Sequence, residues 1–341
     1  MNKNNIAFYP YLIGHTENAY VSNMIDIWKS KYKVIPYEKE GLNIKDFKNC
    51  KAIVLNWFED RLDLKSWVLL LFYRLSRIKI IWVFHNNKSH INDDSWIMTV
   101  KMIGMTLVSS DIILHSNHSK KYLSEINPYV MKKTKFVPHI NYCANYIDTQ
   151  KDYRQSLGFK NNDIVFMFFG FLKAYKNVEL LIQAFKEIAS QNIKLLIVGE
   201  ASDNSYAKNI RKLCNGNPNI ILHTKYVNYV DVYTYFNTCD VLVLPYYKNL
   251  SLNSGAMIAA FSCGKPVIIP DIAMAKDMSK FCFIYSYENE KAHKVALKRE
   301  IKNVCKLGRK KCHILGRKAQ KFVQIKNSRE VVSKEIDILM S

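Results

Sequence analysis

The chain has 341 residues, of which 49% are hydrophobic, and it carries a formal net charge of +21. This length suits two domains better than one core, and this hydrophobic content excludes a disordered chain. The excess of positive charge favours a polyanionic partner, which means phosphorylated ligands, an anionic membrane face or nucleic acid.

The eight cysteines are scattered along the chain without a C-x-x-C pair. We interpret them as reduced thiols of a cytosolic protein, with no role in a disulfide or a metal site. The N-terminal stretch is too short and too polar for a signal peptide. The most apolar window, residues 67–73, is far shorter than a membrane span, so we expect a soluble or peripheral protein.

Apolar strands alternate with helices along the first half of the chain. The predicted strands are residues 6–9, 33–37, 51–57, 78–85, 111–115 and 135–139. These runs are continuously apolar and lack a period of two, which is typical of parallel strands covered on both faces.

The pattern lapses over residues 140–160, where polar and aromatic residues dominate, and then restarts. The predicted strands of the second half are residues 163–169, 193–198, 219–223, 241–245, 267–269 and 281–285. A basic helical segment follows. We therefore predict an α/β protein with two Rossmann-like, doubly wound parallel-sheet domains whose strand carboxyl ends face a cleft. The expected domains are residues 1–150 and 151–325, with a C-terminal helix over 326–341 that packs back on the first domain.

A helix N-terminus is predicted after the strand that ends near Pro245. A polar loop leads there into a helix of small apolar residues that begins at Gly255. Asn253 and Ser254 are good N-cap residues, and Gly255 allows a ligand to approach the backbone. Such a helix start can hold an anion, although an ordinary capped βαβ unit has the same pattern.

Two lysines lie in the turn between the strand 163–169 and the next helix. Lys173 and Lys176, together with a helix N-terminus, can neutralise a diphosphate leaving group without a metal. The alternative is a pair of solvated lysines.

A polar cluster follows the predicted strand 78–85. His85, Asn86 and His90 are candidate polar contacts to a ligand, although His85 can also be a satisfied strand-end histidine. His90, with Asp93 and Asp94, is a candidate general base, or the two aspartates begin the next helix.

Several segments resemble glycosyltransferases of the GT-B type, family 4. Residues 170–177 (GFLKAYKN) are similar to a donor-diphosphate segment of that family, and 195–200 (LLIVGE) resemble its strand ending in V-G-D/E. Residues 238–245 (TCDVLVLP) and 262–268 (SCGKPVI) are similar to two later motifs, and 80–87 (IIWVFHNN) and 111–119 resemble N-terminal ones. The resemblance covers nearly the whole chain and implies the GT-B fold.

One departure from the family concerns its pair of carboxylates, E-x7-E. The matching positions here are Ser251 and Ala259, so the usual contacts to the sugar and the ribose are absent. We expect the loop that contains Asn253, Ser254 and Gly255 to take over.

The resemblance implies that His85 contacts the transferred sugar or an acceptor oxygen, with Asn86 and His90 on the acceptor side. His90, with Asp93 and Asp94, would be the base if the transfer inverts.

The resemblance also implies further donor contacts. A loop with Gly14 would face the donor phosphates, Glu200 would reach the nucleotide or the sugar, and the backbone at Val227 would read the base. A backbone contact leaves no side-chain signature, so the sequence is compatible with either UDP or GDP as the nucleotide of the donor.

The resemblance implies a metal-independent, retaining glycosyltransferase that needs no cofactor. It would move a hexose or N-acetylhexosamine from a nucleoside-diphosphate sugar to a lipid-linked glycan during cell-surface polysaccharide assembly. The basic helices indicate docking on the inner, anionic face of the membrane, and no signature of nucleic-acid binding is present. The alternatives are a non-catalytic, nucleotide-sugar-binding partner subunit, a nucleotide-sugar epimerase of similar fold, and a nucleic-acid-binding protein.

Overall fold

The computed structural model describes residues 4–11, 18–38, 40–86, 96–188, 192–248 and 250–341. The chain forms two compact units. Unit 1 comprises Met1–Ile140, Asn249–Asn253 and Asn327–Ser341, and unit 2 comprises Asn141–Lys248 and Ser254–Lys326.

Each unit is built on a parallel sheet of six strands among its described residues. The strands of unit 1 are β1 (Asn5–Tyr9), β2 (Lys33–Pro36), β3 (Cys50–Asn56), β4 (Lys79–Val83), β5 (Asp111–Leu114) and β6 (Thr134–Phe136). Their order is β2-β1-β3-β4-β5-β6, and every neighbouring pair is parallel.

The sheet of unit 2 is also parallel and six-stranded, but its strand order differs. Its strands are β7 (Ile164–Phe169), β8 (Ile193–Val198), β9 (Ile220–His223), β10 (Val241–Val243), β11 (Val267–Pro270) and β12 (Cys282–Tyr285). Their order is β12-β11-β10-β7-β8-β9, again parallel throughout. The predicted α/β fold with two parallel sheets is therefore confirmed.

Helices connect the strands and cover the sheets. They are α1 (Ala19–Lys29), α2 (Ile44–Asn49), α3 (Leu64–Leu75), α4 (Trp96–Val108), α5 (Ser119–Ile126), α6 (Val178–Lys186), α7 (Asn204–Cys214), α8 (Tyr229–Thr238), α9 (Gly255–Ser262), α10 (Ala273–Asp277), α11 (Glu290–Leu307), α12 (Arg309–Lys326) and α13 (Arg329–Met340). In the described parts of the chain, no helix combines the length and the apolarity that crossing a bilayer requires.

The central strands are buried on both faces, as their unbroken apolar sequences predict. In β3 only Lys51 is not fully buried, and in β8 only Lys194. Helices on both sides of a parallel sheet leave no face for water, so a polar alternation would carry a desolvation cost at every second residue.

Two local features differ from the sequence-based prediction. Helix α2 was not predicted, because it buries no residue and has no apolar stripe; it is capped by the side chain of Asn43. Strand β4 ends at Val83 and not at His85, so His85 lies in the loop that follows the strand.

Helix α13 belongs to unit 1, although it follows the last residue of unit 2. Its Asp337 pairs with Lys31, and Arg329 donates to the carbonyl of Asp26 at 2.9 Å. Lys79, in β4, donates to the carbonyl of Leu339 at 3.0 Å. These contacts fasten the C-terminal helix to α1 and to the sheet of unit 1.

A buried carboxylate fastens α12 in unit 2. Asp240, just before β10, accepts from the Val165 backbone (2.8 Å) and from Arg309 Nε (2.9 Å). His313 Nε2 lies at 2.8 Å and Arg154 at 3.4 Å. Burial alone would raise the pKa of Asp240, but the contacts with His313, Val165 and Arg309 hold it at about 2. The folded-state pKa lies below the ordinary 3.8, so the carboxylate stabilises the fold above pH 3.8 and loses this effect as the pH falls towards 2.

We expect Asp240→Asn to lower the free energy of unfolding by about 3 kcal/mol at neutral pH, because it leaves two buried or half-buried arginines without their counter-charge. Chemical denaturation measures the change. The control is Asp152→Asn, which makes the same substitution at an exposed aspartate. Its free energy of unfolding should lie within about 0.5 kcal/mol of that of the parent. An equally small effect at Asp240 would contradict this account.

Candidate functional site

In unit 2, the turn after β7 is fixed against the end of β8. The backbone N–H of Gly170 donates to the Val198 carbonyl at 3.0 Å, and that of Leu172 donates to Glu200 at 2.8 Å. The backbone N–H of Ser202 donates to the Leu172 carbonyl at 3.0 Å. The two strand ends therefore form one rigid edge.

This contact depends on two glycines. A Cβ at Gly199 would lie 2.0 Å from the carbonyl oxygen of Gly170, so no larger residue fits there. Gly170 itself has φ +123°, and a Cβ on it would lie 3.2 Å from Nζ of Lys176. The ammonium group of Lys176 thus lies directly over the Gly170 backbone.

Lys176 ends a short 3-10 turn, residues 174–176, that leads into α6. Its side chain is half-buried, and its pKa is lowered to about 7 by burial and by the nearby charge of Lys173. Lys173 itself is exposed. The two predicted diphosphate ligands therefore share one turn, at the carboxyl edge of the sheet, and a bound anion would relieve the mutual repulsion.

Asn177 connects this turn to α6 in a left-handed conformation, φ 57°. Its side-chain amide lies 3.3 Å from Nδ1 of His293, a fully buried histidine of α11. His293 Nε2 contacts the Tyr285 hydroxyl at 2.9 Å, and its ring stacks on Tyr287 at 3.8 Å. An amide N–H donates to Nδ1, so Nε2 carries the ring proton.

Burial, then the charge of Lys248, lowers the pKa of His293 to about 4, which keeps the ring neutral. The sequence analysis missed this histidine. It is 116 positions from Asn177 along the chain, and no local pattern marks it.

The loop after β10 reaches α9 as predicted. Ser254 is the N-cap, and its hydroxyl accepts from the Met257 backbone at 3.1 Å. Gly255 begins the helix, and a Cβ on it would lie 3.2 Å from the hydroxyl of Tyr142. The first amides of a helix have no partner within the helix, so the start of α9 keeps an anion-binding character.

Both positions of the absent carboxylates are buried. Ser251 is buried and donates to the Asn253 carbonyl at 2.8 Å, and Ala259 is buried within α9. Glu200, two residues beyond the end of β8, is exposed, and Val227 is half-buried between β9 and α8.

In unit 1, His85 follows β4 and is buried. Its Nε2 lies 3.0 Å from Oδ1 of Asn56, and its ring stacks on Trp57 at 4.1 Å. The Asn56 amide donates to the Tyr9 carbonyl at 2.9 Å, which orients Oδ1 towards His85. Because this oxygen only accepts, His85 carries its proton on Nε2.

Two more histidines contact Tyr20. His115 Nε2 lies 2.9 Å from this hydroxyl, and the ring of His139 is 4.9 Å from the Tyr20 ring. His115 Nδ1 faces the Val137 carbonyl at 2.7 Å. Burial lowers the pKa of His115 to about 4 and that of His139 to about 3, the latter with a contribution from His115. The sequence analysis did not select either residue.

Asn253 contacts the backbone at His85 within unit 1. Its amide donates to the carbonyls of Phe84 (3.3 Å) and His85 (3.2 Å). Its side-chain oxygen is buried and has no protein partner. Two residues selected separately from the sequence are therefore brought together, and a polar acceptor remains beside them.

Other predicted residues have different outcomes. Asn86 is buried directly after His85. The loop that was predicted to contain Gly14 ends at Asn18, whose side chain caps α1. Gly14, His90, Asp93 and Asp94 lie outside the described residues. Within the described ranges, no group of three or more His, Cys, Asp or Glu side chains is arranged to hold a metal ion.

Residues 149–322, just over half of the chain, match the family model described as Glycosyl transferases group 1. The chain belongs to this family.

Two curated relatives from Xanthomonas campestris pv. campestris share the name GDP-mannose:glycolipid 4-beta-D-mannosyltransferase. Each is 27% identical to this chain over 126 residues, which is 36% of the chain and 35% of the relative. The matched region thus spans about a third of the length of these relatives.

Solved structures share the fold over nearly the whole chain. Anabaena Alr3699/HepE in complex with UDP-glucose has a TM-score of 0.72 at 15% identity, covering 98% of both chains. WaaG, a glycosyltransferase involved in lipopolysaccharide biosynthesis, has a TM-score of 0.63 at 13% identity, covering 98% of this chain and 99% of its own. Both sheets thus follow the GT-B arrangement.

The depressed pKa of Lys176 predicts proton uptake when a diphosphate binds. At about pH 8 the free amine is largely neutral, and the charge of UDP or GDP should raise its pKa and draw in up to about one proton. Calorimetric titrations in two buffers of different ionisation enthalpy count the protons. Lys176→Met should abolish the uptake, whereas Lys208→Met, at an exposed position of α7, should not. Equal heats in both buffers for the parent would disprove the contact.

The buried, neutral histidines predict acid lability. Their folded-state pKa values lie below the ordinary 6.5, so the unfolded chain binds more protons between about pH 6.5 and 4. Each histidine should then reduce stability by about 1.4 kcal/mol per pH unit as the pH falls through this window. His139→Asn, which retains a donor near Nδ1, should flatten the pH dependence of the denaturation midpoint, and an unchanged slope would count against burial in the neutral form.

Proposed function

We propose that this protein is a glycosyltransferase that uses a UDP- or GDP-sugar as donor. It transfers a hexose or N-acetylhexosamine to a hydroxyl of a lipid-linked glycan in cell-surface polysaccharide assembly. One observation carries the proposal: the half-buried Lys176 is held over Gly170 at the carboxyl edge of a parallel sheet, beside Lys173. Family membership and the glycolipid named for the Xanthomonas relatives support it.

The chemistry assigned to unit 2 is stabilisation of the departing diphosphate. As the bond to the sugar breaks, negative charge grows on the phosphates, and Lys176 with Lys173 neutralises it. The start of α9, capped by Ser254, supplies further N–H groups at Gly255. These groups do the work that a cation does in metal-dependent transferases, so we propose a metal-independent reaction. Glu200 and the backbone at Val227 are assigned to the nucleotide and sugar.

The acceptor is assigned to unit 1. Asn56 holds the proton of His85 on Nε2 and Trp57 fixes the plane of its ring, so His85 forms a pre-organised polar wall beside which an acceptor hydroxyl can be placed. The unpartnered oxygen of Asn253, beside the His85 backbone, can accept a second hydroxyl. Asn86 and His90 remain assigned to the acceptor, and Gly14 to the donor phosphates.

We further propose retention of the anomeric configuration, which needs no separate base on the acceptor. The anomeric configuration of the product, read by NMR against that of the donor, decides the point. Inversion would require a base and would direct attention to His90. The cytoplasmic face of the membrane, where lipid-linked acceptors are elongated, is the proposed location.

One observation favours a second function. The two carboxylate positions of the family are here buried Ser251 and Ala259, so a contact to the donor sugar has been lost. A non-catalytic partner subunit would bind the nucleotide-sugar and transfer nothing.

Thermal shift with a panel of UDP- and GDP-sugars identifies the donor, and release of the nucleoside diphosphate measures turnover. Lys176→Ala should lower kcat/KM by about a hundredfold or more while the fold remains intact, because a charge contact made as the leaving group departs is lost. Lys208→Ala is the matched control.

The outcomes separate the two functions. Stabilisation by a nucleotide-sugar without any turnover on lipid-linked acceptors would establish the partner subunit. Absence of stabilisation by every nucleotide-sugar would refute both, and full activity of Lys176→Ala would refute the diphosphate contact.

A further inference from the structure

Helices α3 and α4 of unit 1 have apolar residues on both faces. The inner face of α3 buries Leu70 and Tyr73, and that of α4 buries Met98, Met102 and Met105. A helix on the surface of a soluble protein normally has a polar outer face. These two do not.

The outer faces carry apolar side chains at matching positions. They are Leu64, Val68, Leu71 and Leu75 in α3, and Trp96, Val100, Ile103 and Leu107 in α4. In each helix the spacing is i, i+4, i+7, i+11, which draws one straight stripe along the helix. Exposure is high at the ends of both stripes: 81% for Leu64, 75% for Leu75, 74% for Trp96 and 65% for Leu107.

The two stripes lie side by side. Trp67 of α3 covers Gly104 of α4 so closely that a Cβ on this glycine would lie 2.3 Å from the indole ring. In both helices the stripe lies opposite the buried face, so both stripes point away from the sheet. We call the eight stripe residues together the α3–α4 surface.

The charged residues within the two helices are all positive, while Asp63 caps the start of α3. The segments Leu64–Leu75 and Trp96–Val108 contain no acidic residue, and they carry Lys65, Arg74 and Lys101. Arg61 and Arg77 are exposed at the two ends of α3. Lys133 lies at the end of α4, where it donates to the carbonyls of Thr106, Leu107 and Ser109 at 3.2, 3.3 and 3.0 Å.

The exposed apolar stripes and the positive charges of the two helices together favour an anionic bilayer as the partner. A contiguous apolar patch of this size marks an interaction site, and its cationic surroundings make a second copy of the chain a poor partner, because two such faces would oppose like charges. A bilayer surface offers an apolar layer beneath negative headgroups. An exposed tryptophan at the end of the patch suits the boundary between the two.

We propose that the α3–α4 surface docks this protein on an anionic membrane. The two apolar stripes enter the boundary between headgroups and acyl chains, and Lys65, Arg74 and Lys101 contact lipid phosphates. The inference deepens the proposed function, on which it rests for a lipid-linked acceptor, and it names the surface that would meet that lipid.

Flotation with phosphatidylcholine vesicles, with and without phosphatidylglycerol, tests the proposal on the full chain. The parent should float with anionic vesicles at low salt and stay behind with neutral ones. The variant Val68→Ser/Leu71→Ser/Val100→Ser/Leu107→Ser should bind about tenfold more weakly or worse, and Lys65→Gln/Arg74→Gln/Lys101→Gln by a similar factor.

Matched controls come from exposed positions of unit 2. They are Val230→Ser/Val295→Ser/Ile325→Ser for the apolar change and Lys306→Gln/Lys310→Gln/Lys318→Gln for the charge change. Both should float like the parent. Equal loss in the glutamine variant and its control would show that net charge alone drives binding, and equal loss in the serine variant and its control would show that the stripes have no particular role. Either result would overturn the proposed surface.

Two further measurements complete the test. Thermal shift with nucleotide-sugars, without lipid, separates docking from the proposed function: variants that no longer float should still bind donor. If the parent protein glycosylates a water-soluble acceptor but does not float with any vesicles, docking is refuted and the proposed transferase function is retained. A parent that is dimeric, with the serine variant monomeric, would assign the surface to a second copy and also refute docking.

Discussion

The candidate donor site depends on one close backbone contact, between the turn after β7 and the end of β8. Only glycine fits at residue 199, because a Cβ there would collide with the Gly170 carbonyl. This approach lets the two strand ends exchange backbone hydrogen bonds, which makes the turn rigid. Lys176 is thereby held over Gly170, where its ammonium is partly desolvated and ready for an anion.

Rigid support of a different kind occurs at His85. Stacking on Trp57 and the hydrogen bond to Asn56 fix both the plane of the ring and the position of its proton. His115 and His139 surround Tyr20 in the same buried cluster, at the cost of remaining neutral. The burial that pre-organises this polar cluster therefore also lowers the stability of unit 1 in acid.

The fold followed from the sequence because continuous apolar runs between helices have few solutions other than parallel sheets. Two predictions failed for different reasons. Helix α2 has no apolar signal because it buries nothing, whereas β4 ends at Val83 although the apolar run continues to Phe84. Four residues of the candidate site could be predicted from the sequence because each lies at a strand-to-helix transition: Lys173, Lys176, Ser254 and Gly255. The contact between His293 and Asn177 could not be predicted, since it joins residues far apart in the chain.

The amino-acid sequence by itself determined the α/β class, the two parallel sheets and the segments at which strands give way to helices, because periodicity and capping act over a few residues. Only the tertiary structure decided which of these segments meet. It placed Asn253 on the backbone of His85, set Lys176 above Gly170, and left the stripes of α3 and α4 uncovered. These outcomes depend on how distant segments pack, and burial and contact between them leave no trace in local sequence pattern.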